Sequence, residues 1–132
     1  MIGITNIGSY IAPKKVNTLE QVDTFRVSRP FIEEKIGITA VARKSASIRA
    51  SDLCVAAYRD LVTAVDEAVV EDVDFLCVCT QNGDYRLPQT SAIVQQKLGL
   101  PSTCAAFDIA LGCSGYVYSL HVAKSFMESG EM

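Results

Sequence analysis

The chain has 132 residues, of which 49% are hydrophobic and 20% charged, and its net charge is -3. That length is one domain's worth of chain. The apolar share supports a real core and excludes disorder. No basic surplus exists to neutralise nucleic-acid phosphates or anionic lipid, so no nucleic-acid or membrane partner is expected.

No stretch approaches the roughly 18 consecutive apolar residues of a membrane span. Met1 to Pro13 is apolar, but it has no preceding basic region and no small-residue cleavage site, so it does not read as a signal peptide. Five cysteines, Cys54, Cys77, Cys79, Cys104 and Cys113, are an odd number lying mostly inside apolar runs. A secreted disulfide scaffold would space them through loops, and the usage points to a reducing, cytoplasmic compartment.

In chain order, Ile2 to Ile11 is a strand-like apolar run interrupted by Gly3 and Gly8. Asn17 offers an N-cap, with Leu19, Val22 and Phe25 following at helical spacing. Ser28 to Gly37 has a short-helix grammar: Ser28 to cap, Pro30 in the first turn and Gly37 to terminate. Ile38 to Val41 suits a short strand. A long helix opens near Ser51, its apolar stripe running through Leu53, Ala56, Ala57, Leu61, Ala64, Val65 and Ala68. Asp74 to Thr80 is nearly continuous in apolar residues, which predicts a parallel strand buried on both faces. Gln81 to Pro88 is a polar loop, and Gln89 to Leu98 is a helix ended by Gly99 and Pro101. Cys104 to Ile109 is a second buried strand, and Ser114 to Ser129 is a last helix stopped by Gly130. This alternation predicts an α/β fold with a sheet layered by helices and right-handed crossovers.

The segment Phe107 to Tyr116 carries the chemistry. A buried strand runs into Gly112-Cys113-Ser114-Gly115 and a helix leaves it. Cys113 then lies past the carboxyl end of a strand, where open α/β sheets bind ligands. The helix N-terminus brings about half a positive charge and unpaired N–H groups, which favour a thiolate and can stabilise an oxyanion. Gly112 and Gly115 allow a sharp turn and close approach of a substrate. Against this stands the plain fact that a cysteine in an apolar α/β domain is usually a small buried hydrophobe.

Cys104-Ala-Ala-Phe-Asp-Ile-Ala-Leu-Gly-Cys-Ser-Gly-Tyr-Val-Tyr-Ser-Leu120 resembles the nucleophile segment of the 3-oxoacyl-[acyl-carrier-protein] synthase III enzymes, condensing enzymes of the thiolase superfamily. Pro88, Ala92, Gln95, Leu98 and Gly99 fall at that family's spacing, and Phe31 to Ile38 resembles its Trp-x-x-x-Arg-Thr-Gly-Ile segment. The resemblance implies that residues 1–132 form the N-terminal, nucleophile-bearing half of a thiolase-like fold, with a mixed or parallel sheet and the C-terminal half absent. It implies an acyltransferase. An acyl group passes from coenzyme A to Cys113, and decarboxylative condensation with malonyl on acyl carrier protein follows. Coenzyme A is then a substrate thioester and no other cofactor is called for; the implied partners are acyl-CoA, acyl carrier protein and a second copy in a homodimer.

Three substrate-binding positions carry over, each with a departure. Phe31 stands where the family has a tryptophan stacked on adenine. Lys35 stands for an arginine near the same nucleotide, keeping the charge but losing the planar fork. Leu87 matches a residue, commonly phenylalanine, that reaches the partner's acyl pocket; leucine leaves room for a longer or branched chain. Ile36 replaces a threonine that can hydrogen-bond the base, which weakens adenine recognition and admits a carrier-bound donor.

The family's decarboxylating histidine and asparagine lie in its second half. The one histidine here, His121, is eight positions beyond Cys113, about 12 Å along a helix, and cannot touch the thiol. The chain is therefore expected to be the remnant of a longer one and inactive in condensation by itself. The apolar residues encircling the last helix also ask for more cover than the preceding layers give. The alternative is a truncated or degenerate thiolase-fold protein that only dimerises or binds an acyl carrier.

Other signals weigh less. Cys77-Val-Cys79 lacks the spacing and the further ligands of a zinc site, so no metal is expected. Asp66, Glu67, Glu71, Asp72 and Asp74 read as a solvated acidic face. Asp108, inside a strand, is expected to accept hydrogen bonds from the nearby turn, because an unpaired buried carboxylate is costly. Gln81 occupies the place of a glutamate base in the hydroxymethylglutaryl-CoA synthase branch and cannot serve as one. No Cys-x-x-Cys is present to support a redox protein.

Overall fold

A computed structural model describes residues 2–65 and 72–130. The chain forms two compact units, one of Met1–Tyr10 with Arg49–Met132 and one of Ile11–Ile48. Of the acidic cluster, Asp66, Glu67 and Glu71 lie outside the described residues, as does Ala68.

In the smaller unit, β1 (Lys15–Asn17) pairs antiparallel with β2 (Ala40–Ala42), Val16 opposite Val41. The Asn17 side chain caps a 3-10 turn, Thr18–Gln21, by accepting the Leu19 amide at 3.0 Å. Helix α1 (Val22–Phe25) follows and closes on Arg26 in the left-handed region. The helix predicted after Ser28 is one turn of π-helix, Phe31–Ile36. Ser28 Oγ accepts the Phe31 amide at 3.3 Å, and Gly37, at φ 71°, returns its amide to Ile32 O at 2.8 Å. Its expected cap, proline and terminating glycine are all used, but around an i to i+5 bond. Only Ile32 is buried in it. Thr18, Phe25, Val27, Ile32, Ile36 and Ile38 are among the residues lining an apolar cavity of about 260 Å³ in this unit.

The larger unit holds α2 (Ala50–Val62), β3 (Phe75–Cys79), α3 (Thr90–Leu98), β4 (Ala105–Ile109) and α4 (Gly115–Ser129). β3 and β4 are parallel, Cys77 opposite Phe107, as the unalternating apolar runs required. Strand periodicity sends Leu76, Val78, Ala106 and Asp108 to the α3 side and Phe75, Cys77, Cys79 and Phe107 to the α4 side. Phe75 and Phe107 meet Phe126 of α4 at ring-centroid distances of 5.3 and 6.3 Å. Among the described residues of this unit, Val55, Val78, Val94 and Cys104 are the buried apolar ones.

Three expectations need correction. The strands are not buried on both faces: in β3 only Val78 is buried, and β4 is half-buried throughout. Among the described residues both outer edges of this pair lack a partner, so solvent reaches the strands from the side. Helix α2 ends at Val62, and its most buried positions are Ser51 and Val55, beside the predicted stripe. The run from Ile2 to Ile11 forms no strand, because it has no ladder partner among the described residues. Within the larger unit Gly8 and Ser9 lie against α2 instead, and Ile2, Gly3 and Ile4 share a cavity with Leu120, Ala123 and Met127 of α4. The Ser9 amide donates to Asp60 at 2.8 Å, and a Cβ on Gly8 would collide with the carbonyl of Ala57. Of the apolar residues around the last helix, Tyr116, Val117, Leu120 and Met127 are exposed, while Val122, Ala123 and Phe126 are half-buried.

Candidate active site

Parallel pairing puts the carboxyl ends of β3 and β4 side by side, so the loops that follow them share one edge. The loop after β4 is the Gly112–Gly115 turn, and the Cys113 thiol in it is exposed, not a buried hydrophobe. The 15-residue helix α4 starts immediately afterwards, with Ser114 as its N-cap. Ser114 makes no side-chain capping bond. The turn takes up the Gly115 amide on Gly112 O at 2.8 Å and the Tyr118 amide on Ser114 O at 3.1 Å. By position the amides of Ser114, Tyr116 and Val117 precede the first intrahelical bond and have no partner within the helix.

The two glycines matter here for space. Neither is in the left-handed region. A Cβ on Gly115 would collide with Cys79 Sγ and come within 2.9 Å of Leu111 Cβ. The Cys79 thiol donates to Leu111 O at 3.7 Å, so the end of β3 presses directly on the turn. A Cβ on Gly112 would lie 3.1 Å from Gln81 Oε1. Gln81 therefore lines the Gly112–Gly115 turn, a placement that parallel pairing explains once the two strands are recognised.

The loop from Gln81 to Pro88 is anchored by groups that lie far apart in sequence. Asp84 accepts the Ser51 amide at 3.1 Å and the Ser51 hydroxyl at 2.5 Å. Lys97 Nζ donates to Ser51 Oγ at 2.7 Å and to Asp52 at 2.6 Å. The Asp84 amide donates to Thr90 Oγ1 at 3.2 Å. Burial pushes the Asp84 carboxyl up, but the Ser51 hydroxyl and amide, the Ala50 amide and Lys97 together hold it below the ordinary value. Lys97, then the Arg49 amide, likewise lower Asp52. Sequence spacing gave no sign of this cluster.

Asp108 is paired, though not by the nucleophile turn. It accepts the Thr90 amide at 2.8 Å and the Ser91 amide at 2.7 Å, capping α3 with a negative charge at its N-terminus. Cys77 and Cys104 thiols are pushed up by burial, as is Cys54, where the carboxylates of Asp84 and Asp108 add to it. His121 is exposed on α4.

Of the predicted substrate residues, Leu87 shares the larger unit with Cys113 and is 83% exposed, not packed. Phe31 and Lys35 belong to the smaller unit, Phe31 opening the π turn and Lys35 lying in its last turn. Phe31 is exposed there, and Ile36 lines the apolar cavity. The single polar side chain of that cavity, Thr18, donates its hydroxyl to Ile38 O at 2.7 Å.

No family model matches the chain. It is 33% identical over 128 residues to the beta-ketoacyl-[acyl-carrier-protein] synthase III of Neisseria gonorrhoeae, covering 96% of this chain and 39% of that protein. It is 36% identical over the same length to the enzyme of that name from Caulobacter vibrioides. Among solved structures, the beta-ketoacyl-acyl carrier protein synthase III of Thermus thermophilus superposes with a TM-score of 0.87 at 29% identity, covering 98% of this chain and 39% of that one. The chain thus spans 39% of the length of the curated relatives it matches.

Proposed function

The chain is beta-ketoacyl-[acyl-carrier-protein] synthase III-like in sequence and has a thiolase fold, and from that premise we propose that Cys113 is the nucleophile of an acyl transfer. Sγ attacks the carbonyl of an acyl thioester and a new C–S bond forms. The tetrahedral oxyanion collapses, the donor's C–S bond breaks, and the thiol proton ends on the departing thiol. Orphan amides of the first turn of α4 are the donors available to the oxyanion. In a protein of the relatives' length, the acyl-enzyme then condenses with malonyl on acyl carrier protein, losing carbon dioxide, in fatty acid synthesis. The observation that carries this reading is an exposed thiol at the carboxyl end of a parallel strand and the start of a long helix, in a synthase III-like chain.

Phe31 and Lys35 are the proposed contacts of the donor's nucleotide, and Leu87 sets acyl length. The apolar cavity beside Ile36 supports a weaker hold on adenine than the family's threonine allows. A carrier-bound acyl donor, which has no adenine to hold, is the alternative to acyl-CoA. By itself the chain is proposed to take up an acyl group and not to condense it, since its one histidine is remote from the thiol.

The test is intact mass after incubation with acetyl-CoA, longer acyl-CoAs and acyl carrier protein thioesters. An adduct of the acyl mass, absent from Cys113→Ala, supports the proposal. No adduct on a folded chain with any donor rejects acylation for this chain.

A further inference from the structure

We propose that Asp84 is a positioning residue that holds the loop after β3 in register with β4, so that Leu87 is presented at a fixed place on the larger unit, from which it reaches the acyl pocket of a second copy of the chain. The relation to acyl length rests on the reading of Leu87 given above.

The contacts form a continuous relay. Asp108 stands on β4, the strand that delivers Cys113, and holds the Thr90 and Ser91 amides. Thr90 Oγ1 accepts the Asp84 amide, and a Cβ on Gly83 would lie 2.8 Å from the same oxygen, so the loop rests directly on Thr90. The Asp84 carboxylate then reaches across to the start of α2 through both donors of Ser51. Lys97 of α3 closes the cluster on the Ser51 hydroxyl. Ser51 and Thr90 are both 0% exposed, so water does not compete for these bonds. Arg49 adds an outer clasp, Nη1 reaching Asp84 O at 3.5 Å and the guanidinium lying 4.4 Å from the Tyr85 ring centre. The far end of the loop abuts the nucleophile turn through Gln81 and Gly112.

What the clasp leaves free is Arg86 to Pro88, all exposed. A short protrusion held at both ends loses little entropy when it meets a ligand or a partner. An apolar tip that projects this far without packing on its own unit is not a core residue. A network that served stability alone would have no need to present it.

Trypsin reads the clasp directly, because Arg86–Leu87 is cleavable and lies at the tip. Wild type and Asp84→Asn are digested under native conditions, with cleavage after the exposed Arg43 of the smaller unit as the internal control and circular dichroism to confirm the fold. Loss of the charged acceptor should raise the Arg86 cleavage rate about tenfold or more relative to the control. If Asp84→Asn does not fold, Lys97→Met, which releases the Ser51 hydroxyl from the other side, takes its place with the same expectation. In the acylation assay the variant should lose discrimination between short and long acyl donors while retaining adduct formation on Cys113. Unchanged cleavage overturns the proposal, and so does faster cleavage with an unchanged acyl-length profile. Absence of any adduct on wild type counts against the acyl-transfer reading instead, and the cleavage ratio then decides the clasp without it.

Discussion

Gly115→Ala is the sharpest test of how the turn that carries Cys113 is built. In an ordinary helix this change stabilises by up to about 1 kcal/mol, because alanine loses less backbone entropy. Here the new Cβ would strike Cys79 Sγ and sit 2.9 Å from Leu111 Cβ. Neither atom is the far end of a long side chain, so β3 or the turn must move. Forced overpacking of this kind costs about 1–3 kcal/mol. The clash outweighs the propensity gain, which is smaller in the first turn than mid-helix, and we predict a net loss of about 1–2 kcal/mol. Urea unfolding would report it as a lower midpoint at constant slope. The partner is testable too. Cys79→Ala removes the sulfur, so the penalty of Gly115→Ala in that background should fall by about 1 kcal/mol. A Gly115→Ala protein as stable as wild type, or an equal penalty with and without Cys79, would refute the claim that glycine is required by the sulfur.

The remaining predictions concern charge and thiols. Asp108→Ala should cost about 1–2 kcal/mol in urea unfolding, because two amides of the first turn of α3 lose a charged acceptor; a loss under 0.3 kcal/mol, roughly the noise between unrelated surface sites, would mean that water replaces it. Asp84 is held below its ordinary value of 3.8, so its contribution to stability is fully present above that pH and is lost as pH falls further. The acid limb of stability against pH should therefore be shallower in Asp84→Asn below about pH 3.8; identical limbs would remove Asp84 from the account. Iodoacetamide at mild pH should modify the exposed Cys113 and Cys79 before Cys54, Cys77 and Cys104, whose thiols burial pushes up. Peptide mapping that finds Cys54 labelled first would contradict the packing of α2.

The elements that the sequence announced are those whose signals are local. Gly37, Gly99 and Gly130 each stop a helical segment in the left-handed region, and Asn17 caps the turn it precedes. Two apolar runs separated by a helical pattern became a parallel pair, because that grammar has few other solutions. The π turn at Phe31–Ile36 was not legible in the same way. Ser28, Pro30 and Gly37 suit an i to i+4 or an i to i+5 helix equally, and one residue of winding decides between them. The segment from Ile2 to Ile11 misled for a different reason. Composition gives a chain strand propensity, but a strand exists only where another edge accepts its hydrogen bonds.

The site divides along the same line. The exposed position of Cys113 is legible because the strand, the tight turn and the helix that expose it are contiguous. Its surroundings are not, because Ser51, Asp84, Lys97 and Asp108 approach one another only after three helix–strand crossings have been folded. Asp108 illustrates the limit. Burial in a strand required a partner, and sequence proximity pointed to the nucleophile turn; the partner is the amide pair at the start of α3, some seventeen residues earlier. That choice has a physical logic. Alternation along β4 turns Asp108 to the α3 face, where its charge neutralises a helix N-terminus, and so leaves no anion of its own beside the first turn of α4. Under the acyl transfer proposed above, that separation keeps the anchoring charge away from the oxyanion while holding both groups within one short segment of chain.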